Sequence, residues 1–322
     1  MNHIEKISRS LEEHNLDAML ITSEPGERYA LGFQGEGWLL VGRQGAHYST
    51  DGRYIEAAQK QVKGVQLSLI SAQKGHLSLA RDYIRTQRFE RVGFESGYMN
   101  VEQYQRLCDA LPCQLVPAQK LLTQLRASKD VEELSAMRRA QEITDQAFRE
   151  ILNYIRPGMT EQQVAARLVY EMLRRGARKV SFDPIVAAGA NGSMPHAVPG
   201  ETVIQAGMFV TMDFGCIWDG YCSDMTRTVA VGSVTDEMRQ VYDTVLQAQL
   251  AGIAAARAGA TGKAVDGAAR DIIRQAGYGP CFGHSFGHGV GVEIHEGPNA
   301  TPSNDKPLPA GAVISAEPGI YL

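Results

Sequence analysis

The stretch Met208–Thr228, MFVTMDFGCIWDGYCSDMTRT, restricts the possible folds more than any other part of the chain. Asp219-Gly220 is a strong signal for a two-residue hairpin turn, because both central positions of a type I′ turn require positive φ. A turn there pairs Trp218 with Tyr221 and, counted back along both arms, Asp213 with Thr226. Side chains alternate between the faces of a strand, so Asp224 shares a face with Asp213 and lies diagonal to it. The nearest cation in sequence, Arg227, points to the opposite face. Two adjacent carboxylates repel, and the repulsion is relieved when one takes up a proton or a metal ion bridges them. A pair of solvated surface aspartates satisfies the same pattern, so the hairpin alone leaves both readings open.

With 322 residues, 44% hydrophobic and 21% charged, the chain reads as a soluble globular protein long enough for two domains. A net charge of −4 argues against nucleic acid as a partner. The N-terminus, MNHIEKISRSLEEHNL, spaces Ile4, Ile7 and Leu11 as a helix does, behind an Asn2 cap, and lacks the apolar core of a signal peptide. No apolar run approaches membrane-spanning length. Cys108, Cys113, Cys216, Cys222 and Cys281 form no CxxC pair, which predicts reduced thiols in a cytoplasmic protein.

From Asp17 to about Pro117, short β-like runs (AMLIT, WLLVG, VQLSLI, RVGF, CQLVP) alternate with helical stretches such as Gly75 to Arg88 and Val101 to Leu111. The alternation predicts a small α/β domain. Within it Asp51, Arg53 and Tyr54 make a polar cluster at a strand-to-helix junction, read first as capping of the next helix and second as contact with substrate or a partner subunit. Ala118 to Ala127 reads as a connection. Ser128 and Asp130 then open a long amphipathic helix with Val131, Leu134, Met137 and Ile143 on its apolar side, ended by Arg156-Pro157-Gly158. Thr160 with Gln163 is a capping-box start for a second helix that stops at Gly176. Thr235 to about Arg257 and Thr261 to Gln275 give two further helices after the hairpin.

The chemistry-bearing residues cluster late. FDPIVAAGANGSMPHAVPG is a β-like run followed by a loop carrying His196, and a lone loop histidine is more often solvated than functional. CFGHSFGHGVGVEIHEGP concentrates His284, His288 and His295 among glycines, which rule out a stable helix and hence a helical zinc motif. The glycines instead let backbone approach a bound group and turn sharply. In VGVEIHE, strand alternation would put Glu293 and His295 on one face and Ile294 and Glu296 on the other. AVISAEPGIYL reads as an apolar strand ending in Glu317, a carboxylate that requires a partner if buried. Asp213, Asp224, His288 and Glu317 thus make an oxygen-rich ligand set with one imidazole.

In order and spacing these four residues, with His196, His284 and His295, resemble the pita-bread metallopeptidases, the family of methionine aminopeptidase, aminopeptidase P and prolidase. HGVGVEIHEGP and SAEPGIY are its specific motifs here. The N-terminal domain and RASKDVEELSAMRRA are similar to the Xaa-Pro branch, and the resemblance covers nearly the whole chain. It implies a two-domain α/β and α+β protein, with a creatinase-like N-terminal domain over residues 1–122 and a pita-bread catalytic domain over 123–322, and frequently a homodimer. By the same resemblance Asp213 holds one metal, Asp224 bridges two, and His288 and Glu317 complete the other ion's shell. Glu317 relays the proton of the attacking water, His196 and His295 stabilise the tetrahedral intermediate and leaving group, and His284 lines the substrate pocket. Manganese is the expected ion because carboxylates dominate, with cobalt or zinc as alternatives. The expected substrates are peptides with proline second, whose tertiary amide needs a dedicated pocket.

The chain departs from the family in one respect. The family carries a second bridging glutamate on a strand after EPG, and this sequence ends at Leu322 before that point. A shortened chain is therefore expected, with an open sheet edge and weakened metal binding. Two alternatives stand beside the Xaa-Pro reading: another hydrolase of this fold, creatinase-like or methionine-specific, and a binding module impaired in catalysis by the absent ligand. Retention of both aspartates and Glu317 counts against the metal-free creatinase type.

Overall fold

The structure is a computed structural model and describes residues 2–322. Its internal contacts divide the chain into two units, Met1–Arg126 and Ala127–Leu322.

The first unit runs α1 (His3–Glu13), β1 (Ala18–Ile21), α2 (Glu24–Leu31), β2 (Trp38–Gly42), β3 (Ala46–Thr50), α3 (Ile55–Gln61), β4 (Gln66–Leu69), α4 (His76–Gln87), β5 (Arg91–Phe94), α5 (Val101–Ala110) and β6 (Gln114–Pro117). Its six strands form one sheet in the order β4-β3-β2-β1-β5-β6, antiparallel through β3-β2-β1 and parallel elsewhere. Leu20, Leu40, Ile84, Val92 and Leu107 share one core against this sheet. The Asn2 cap holds, since its side chain accepts from Glu5 N.

One strand carried no sequence signal, and two expectations need correction here. AHYST, which carries no apolar run, is a fully buried strand, because its polar groups find one another: His47 Nε2 meets Ser68 Oγ at 2.8 Å and Ser49 Oγ meets His76 Nδ1 at 2.9 Å. Asp51 does not cap α3. Its carboxylate takes Arg53 N at 2.8 Å and the Arg53 guanidinium at 2.6 Å, and Tyr54, at the N-cap, makes no side-chain cap bond. Finally, the stretch read as a connection contains a helix, α6 (Gln119–Ala127).

The second unit begins with α7 (Val131–Tyr154) and α8 (Glu161–Leu173), followed by β7 (Lys179–Val180), β8 (Ile185–Ala188), β9 (Phe209–Phe214), β10 (Cys216–Trp218), β11 (Tyr221–Cys222) and β12 (Met225–Ala230). It ends with α9 (Asp236–Ala255), α10 (Gly262–Gln275), β13 (Gly287–Gly289) and β14 (Glu296–Ala300). Both capping boxes are present, Asp130 with Glu133 and Thr160 with Gln163, which satisfies the orphan N–H groups that open α7 and α8. Thr235 and Thr261 cap α9 and α10. Val131 is an exception to the expected apolar face, being 82% exposed in the first turn of α7, while Ala136, Ala140, Ile143, Ala147 and Ile151 define the buried stripe.

From Ala140 onward that stripe packs with Val164, Leu168 and Met172 of α8 on Val186, Val210, Met212 and Phe214 of the strands. A second core joins Ala248 of α9 and Val265, Ala269 and Ile273 of α10 to Phe282, Phe286 and Ala300. Each half therefore lays a helix pair on extended chain. Among the described residues, no helix is long and apolar enough to cross a membrane.

Candidate metal centre

The hairpin forms in the expected register. Asp219 and Gly220 both have positive φ, Trp218 pairs with Tyr221, and Thr226 pairs with Asp213. The same register continues across the break between β9 and β10, where Gly215 lies opposite Asp224. A side chain at Gly215 would not fit, since its Cβ would stand 2.0 Å from the Ser223 carbonyl. The close approach allowed by this glycine brings the Asp224 arm against β9.

The other half of the unit supplies the opposing wall. The segment carrying Glu317 is extended but is not a regular strand, in contrast to expectation. It still runs antiparallel to the histidine segment, through bonds of Val290 N to Val313 O (3.1 Å), Ser315 N to His288 O (2.8 Å) and Glu317 N to Phe286 O (2.9 Å). This register sets Ser315 opposite His288. Ser315 Oγ accepts from His288 N at 2.9 Å and donates to Glu317 Oε1 at 2.7 Å. Sequence reading passed over Ser315, although alternation from Glu317 places it on the same face.

The walls meet at His288. Its Nε2 lies 3.4 Å from Asp224 Oδ2 and 3.2 Å from Glu317 Oε1. One ligand atom from each of Asp224, His288 and Glu317 falls within 4.8 Å of the others, the spacing of a cation site. Nδ1 of His288 meets the Gly289 carbonyl at 3.0 Å, and a carbonyl only accepts, so Nδ1 carries a hydrogen. In the neutral ring Nε2 then has only a lone pair facing two carboxylate oxygens, an arrangement that needs a proton or a metal ion between them. Asp213 stands outside the 4.8 Å group but beside it. Its Oδ1 is buried without a hydrogen-bond partner, while the Thr226 hydroxyl bonds its carboxyl group.

The electrostatics agree. Burial first, then the Glu317 charge, pushes Asp213 up to about 6. Burial, followed by Asp213 and Glu317, pushes Asp224 up to about 7. Burial would lower His288, but its bond to Glu317 and the Gly289 carbonyl outweigh it and hold the imidazole at about 9. Burial would raise Glu317, yet His288 and Ser315 draw it below its ordinary value. No lysine or arginine pairs with these acids in the described ion pairs, so the orphaned Asp213 oxygen and the facing lone pair suit divalent cations.

The remaining histidines surround this centre. The His295 ring stands edge-on to His288 with centroids 4.3 Å apart, and burial together with His288 lowers its pKa. VGVEIHE is a run of bends rather than the expected strand, and β14 starts only at Glu296. His284 donates through Nδ1 to the Ser285 carbonyl at 2.9 Å, so its Nε2 accepts from the Tyr321 hydroxyl at 2.9 Å. His196 is exposed and acts electrostatically on both Asp213 and His295. Its loop is fixed at the base by buried Glu161, which accepts from Ala188 N (2.7 Å), Gly200 N (3.1 Å) and the Asn191 amide (2.9 Å). Two open surface grooves, one along α4 and α5 and one between the end of α7 and α8, contain none of these residues.

Comparison with known proteins gives a consistent picture. Residues 135–322 match the model of metallopeptidase family M24, and residues 3–128 match the creatinase/prolidase N-terminal domain. An uncharacterized peptidase of Bacillus subtilis is 39% identical over 321 residues, 99% of this chain and 90% of that protein. The solved structure of an Xaa-Pro dipeptidase from Bacillus anthracis superposes with a TM-score of 0.95 at 38% identity, covering 99% of this chain and 90% of that one. An X-Pro aminopeptidase from Thermotoga maritima gives a TM-score of 0.91 at 34% identity, covering 98% and 91%.

Proposed function

This chain belongs to metallopeptidase family M24, with a creatinase/prolidase N-terminal domain before the catalytic one, and on that premise we propose that it is a metal-dependent Xaa-Pro peptidase. It releases an N-terminal residue that precedes proline. The observation that carries the reading is the meeting of Asp224, His288 and Glu317, beside an unpartnered Asp213 oxygen, with no lysine or arginine in their ion pairs among the described residues. The Xaa-Pro dipeptidase and X-Pro aminopeptidase that resemble it over nearly its full length support the substrate class.

In this reading Asp213, Asp224, His288 and Glu317 hold two divalent ions. Bound there, such ions acidify water and polarise a carbonyl at neutral pH. Manganese suits a shell dominated by carboxylates, with cobalt or zinc as substitutes. Glu317, kept ionised by His288 and Ser315, accepts the proton of the attacking water. His295, whose lowered pKa keeps it neutral near pH 7, donates an N–H to the oxygen that gains charge, and His196 serves the leaving group from the rim. His284, oriented by Ser285 and Tyr321, lines the substrate pocket. A homodimer and a cytoplasmic location complete the proposal. The first follows the family resemblance, and the second is supported by five cysteines that are all free.

The test is a peptide panel assayed with metal-stripped protein to which manganese, cobalt or zinc is returned. The expected outcome is metal-dependent release of the first residue from Xaa-Pro peptides, with manganese most effective, and none from creatine or Met-Ala peptides. Metal-independent turnover, or release from Met-Ala alone, overturns it. Light scattering and cell fractionation check the dimer and the location.

A further inference from the structure

Lys129 belongs to none of the roles above, yet it occupies an unusual place. Its side chain is 1% exposed, and its Nζ pairs at 2.9 Å with Glu296, itself 5% exposed. Removing two charges from water is costly, and an apolar pair of the same volume often serves stability equally well. Such a pair therefore calls for an explanation other than stability.

Its surroundings supply one. Glu296 directly follows His295, and the Gly291–His295 bends have no strand ladder to hold them. They are fastened at one end by Cys222 N donating to the Gly291 carbonyl at 2.8 Å, on the arm that leads to Asp224. At the other end one Glu296 oxygen takes the Glu293 N–H at 3.3 Å and the other pairs with Lys129. Gly291 leaves room for that carboxylate, because a Cβ there would lie 2.3 Å from Glu296 Oε1. Lys129 is itself anchored. Its N–H donates to the Gly311 carbonyl at 2.9 Å, and the Ser128 hydroxyl donates to the Ala310 carbonyl at 2.6 Å. The chain from this turn runs directly to Glu317. One residue at the root of α7 is thus tied through its backbone to the Glu317 segment and through its side chain to the His295 bend.

We infer that Lys129 is a positioning residue: with Glu296 it fixes the His295 bend relative to the Glu317 segment, and so holds the His295 ring against His288. The consequence for turnover rests on the peptidase reading, whereas the geometry does not. The pair acts on His295 and leaves the segments bearing Asp213, Asp224, His288 and Glu317 in register through their own backbone bonds.

The experiment compares the parent with Lys129→Met/Glu296→Met, which removes both charges at similar volume and avoids the unpaired buried acid that Lys129→Met alone would leave. In histidine-labelled, metal-free protein, a nuclear Overhauser contact between the His288 and His295 rings is expected in the parent and lost in the double variant. With manganese and an Xaa-Pro peptide, kcat is expected to fall about 10- to 100-fold, as for other residues that orient a site's working groups, with KM and manganese affinity within about threefold. Lys129→Arg, which keeps the charge, should retain the contact. Persistence of the contact in the double variant overturns the inference whatever the activity. So does failure of that variant to fold, since the pair would then serve stability. A parent with the contact but without Xaa-Pro hydrolysis would refute the proposed function and leave this inference standing.

Discussion

Two acidic clusters in the second unit have opposite surroundings. Glu171, fully buried on α8, is enclosed by guanidinium groups: Arg167 at 2.6 Å, Arg174 at 2.5 Å, and Arg175. Burial alone would raise its pKa, but the three arginines hold it down at about 2. Asp213 and Asp224 are also largely withdrawn from water, but the basic groups acting on them are imidazoles, His288 on both and His196 on Asp213, and both are pushed up, to about 6 and about 7. A buried carboxylate surrounded by the protein's own cations is part of the scaffold. One left facing other carboxylates is complete only when a proton or an ion arrives from outside. The contrast is the one expected between scaffold acids and the acids proposed here to hold metal.

The largest test of this contrast is Asp224→Asn. It removes one of the repelling charges at nearly constant volume, so the metal-free protein should be as stable as the parent or more so in urea unfolding. Xaa-Pro hydrolysis should fall roughly a thousandfold, about 4 kcal/mol in activation free energy, because ion-assisted attack contributes on that scale. A variant that loses stability along with activity would place Asp224 with Glu171, as a scaffold residue. Glu171→Gln should behave inversely. It leaves three guanidinium groups without their acid, but these are part-exposed and partly rescued by water, so the loss is about 1–2 kcal/mol of unfolding free energy. Manganese affinity by calorimetry and kcat per folded molecule should not change. A Glu171→Gln protein with impaired manganese binding would erase the distinction.

Much of the candidate site was legible because the signals were local and covalent in origin. Asp219-Gly220 sets the turn, the turn sets the register, and alternation then puts Asp213 and Asp224 on one face. The capping boxes at Asp130 and Thr160 were equally local. What escaped depends on tertiary partners. AHYST is a central strand because His47 and Ser49 are satisfied by Ser68 and His76, residues far away in sequence. VGVEIHE alternates as a strand should, yet it bends, since Cys222 holds one end and the buried Lys129–Glu296 pair the other. Ser315 could have been found from alternation, but its bond to His288 follows from a register that no turn in the sequence announces.

The smallest and sharpest test is the dependence of stability on pH without metal. Asp213 and Asp224 titrate near 6 and 7 in the folded protein against an ordinary value of 3.8, so between about pH 4 and 7 the folded state binds more protons than the unfolded one. Stability must then fall as pH rises through that window, and His288, raised to about 9 from 6.5, extends the fall to higher pH. Glu171 works in the other direction. Its folded value of about 2 lies below the ordinary 4.5, so its contribution is complete above about pH 4.5 and disappears as pH falls towards 2. The metal-free protein should be most stable near pH 4–5 and lose stability steadily from there to pH 8 in denaturant titrations. Excess manganese should reverse the loss above pH 5 by displacing the same protons, and should leave the Glu171 limb untouched. A metal-free stability that is flat from pH 5 to 8 would mean that the aspartates are solvated and ionised throughout, and the contrast with Glu171 would collapse.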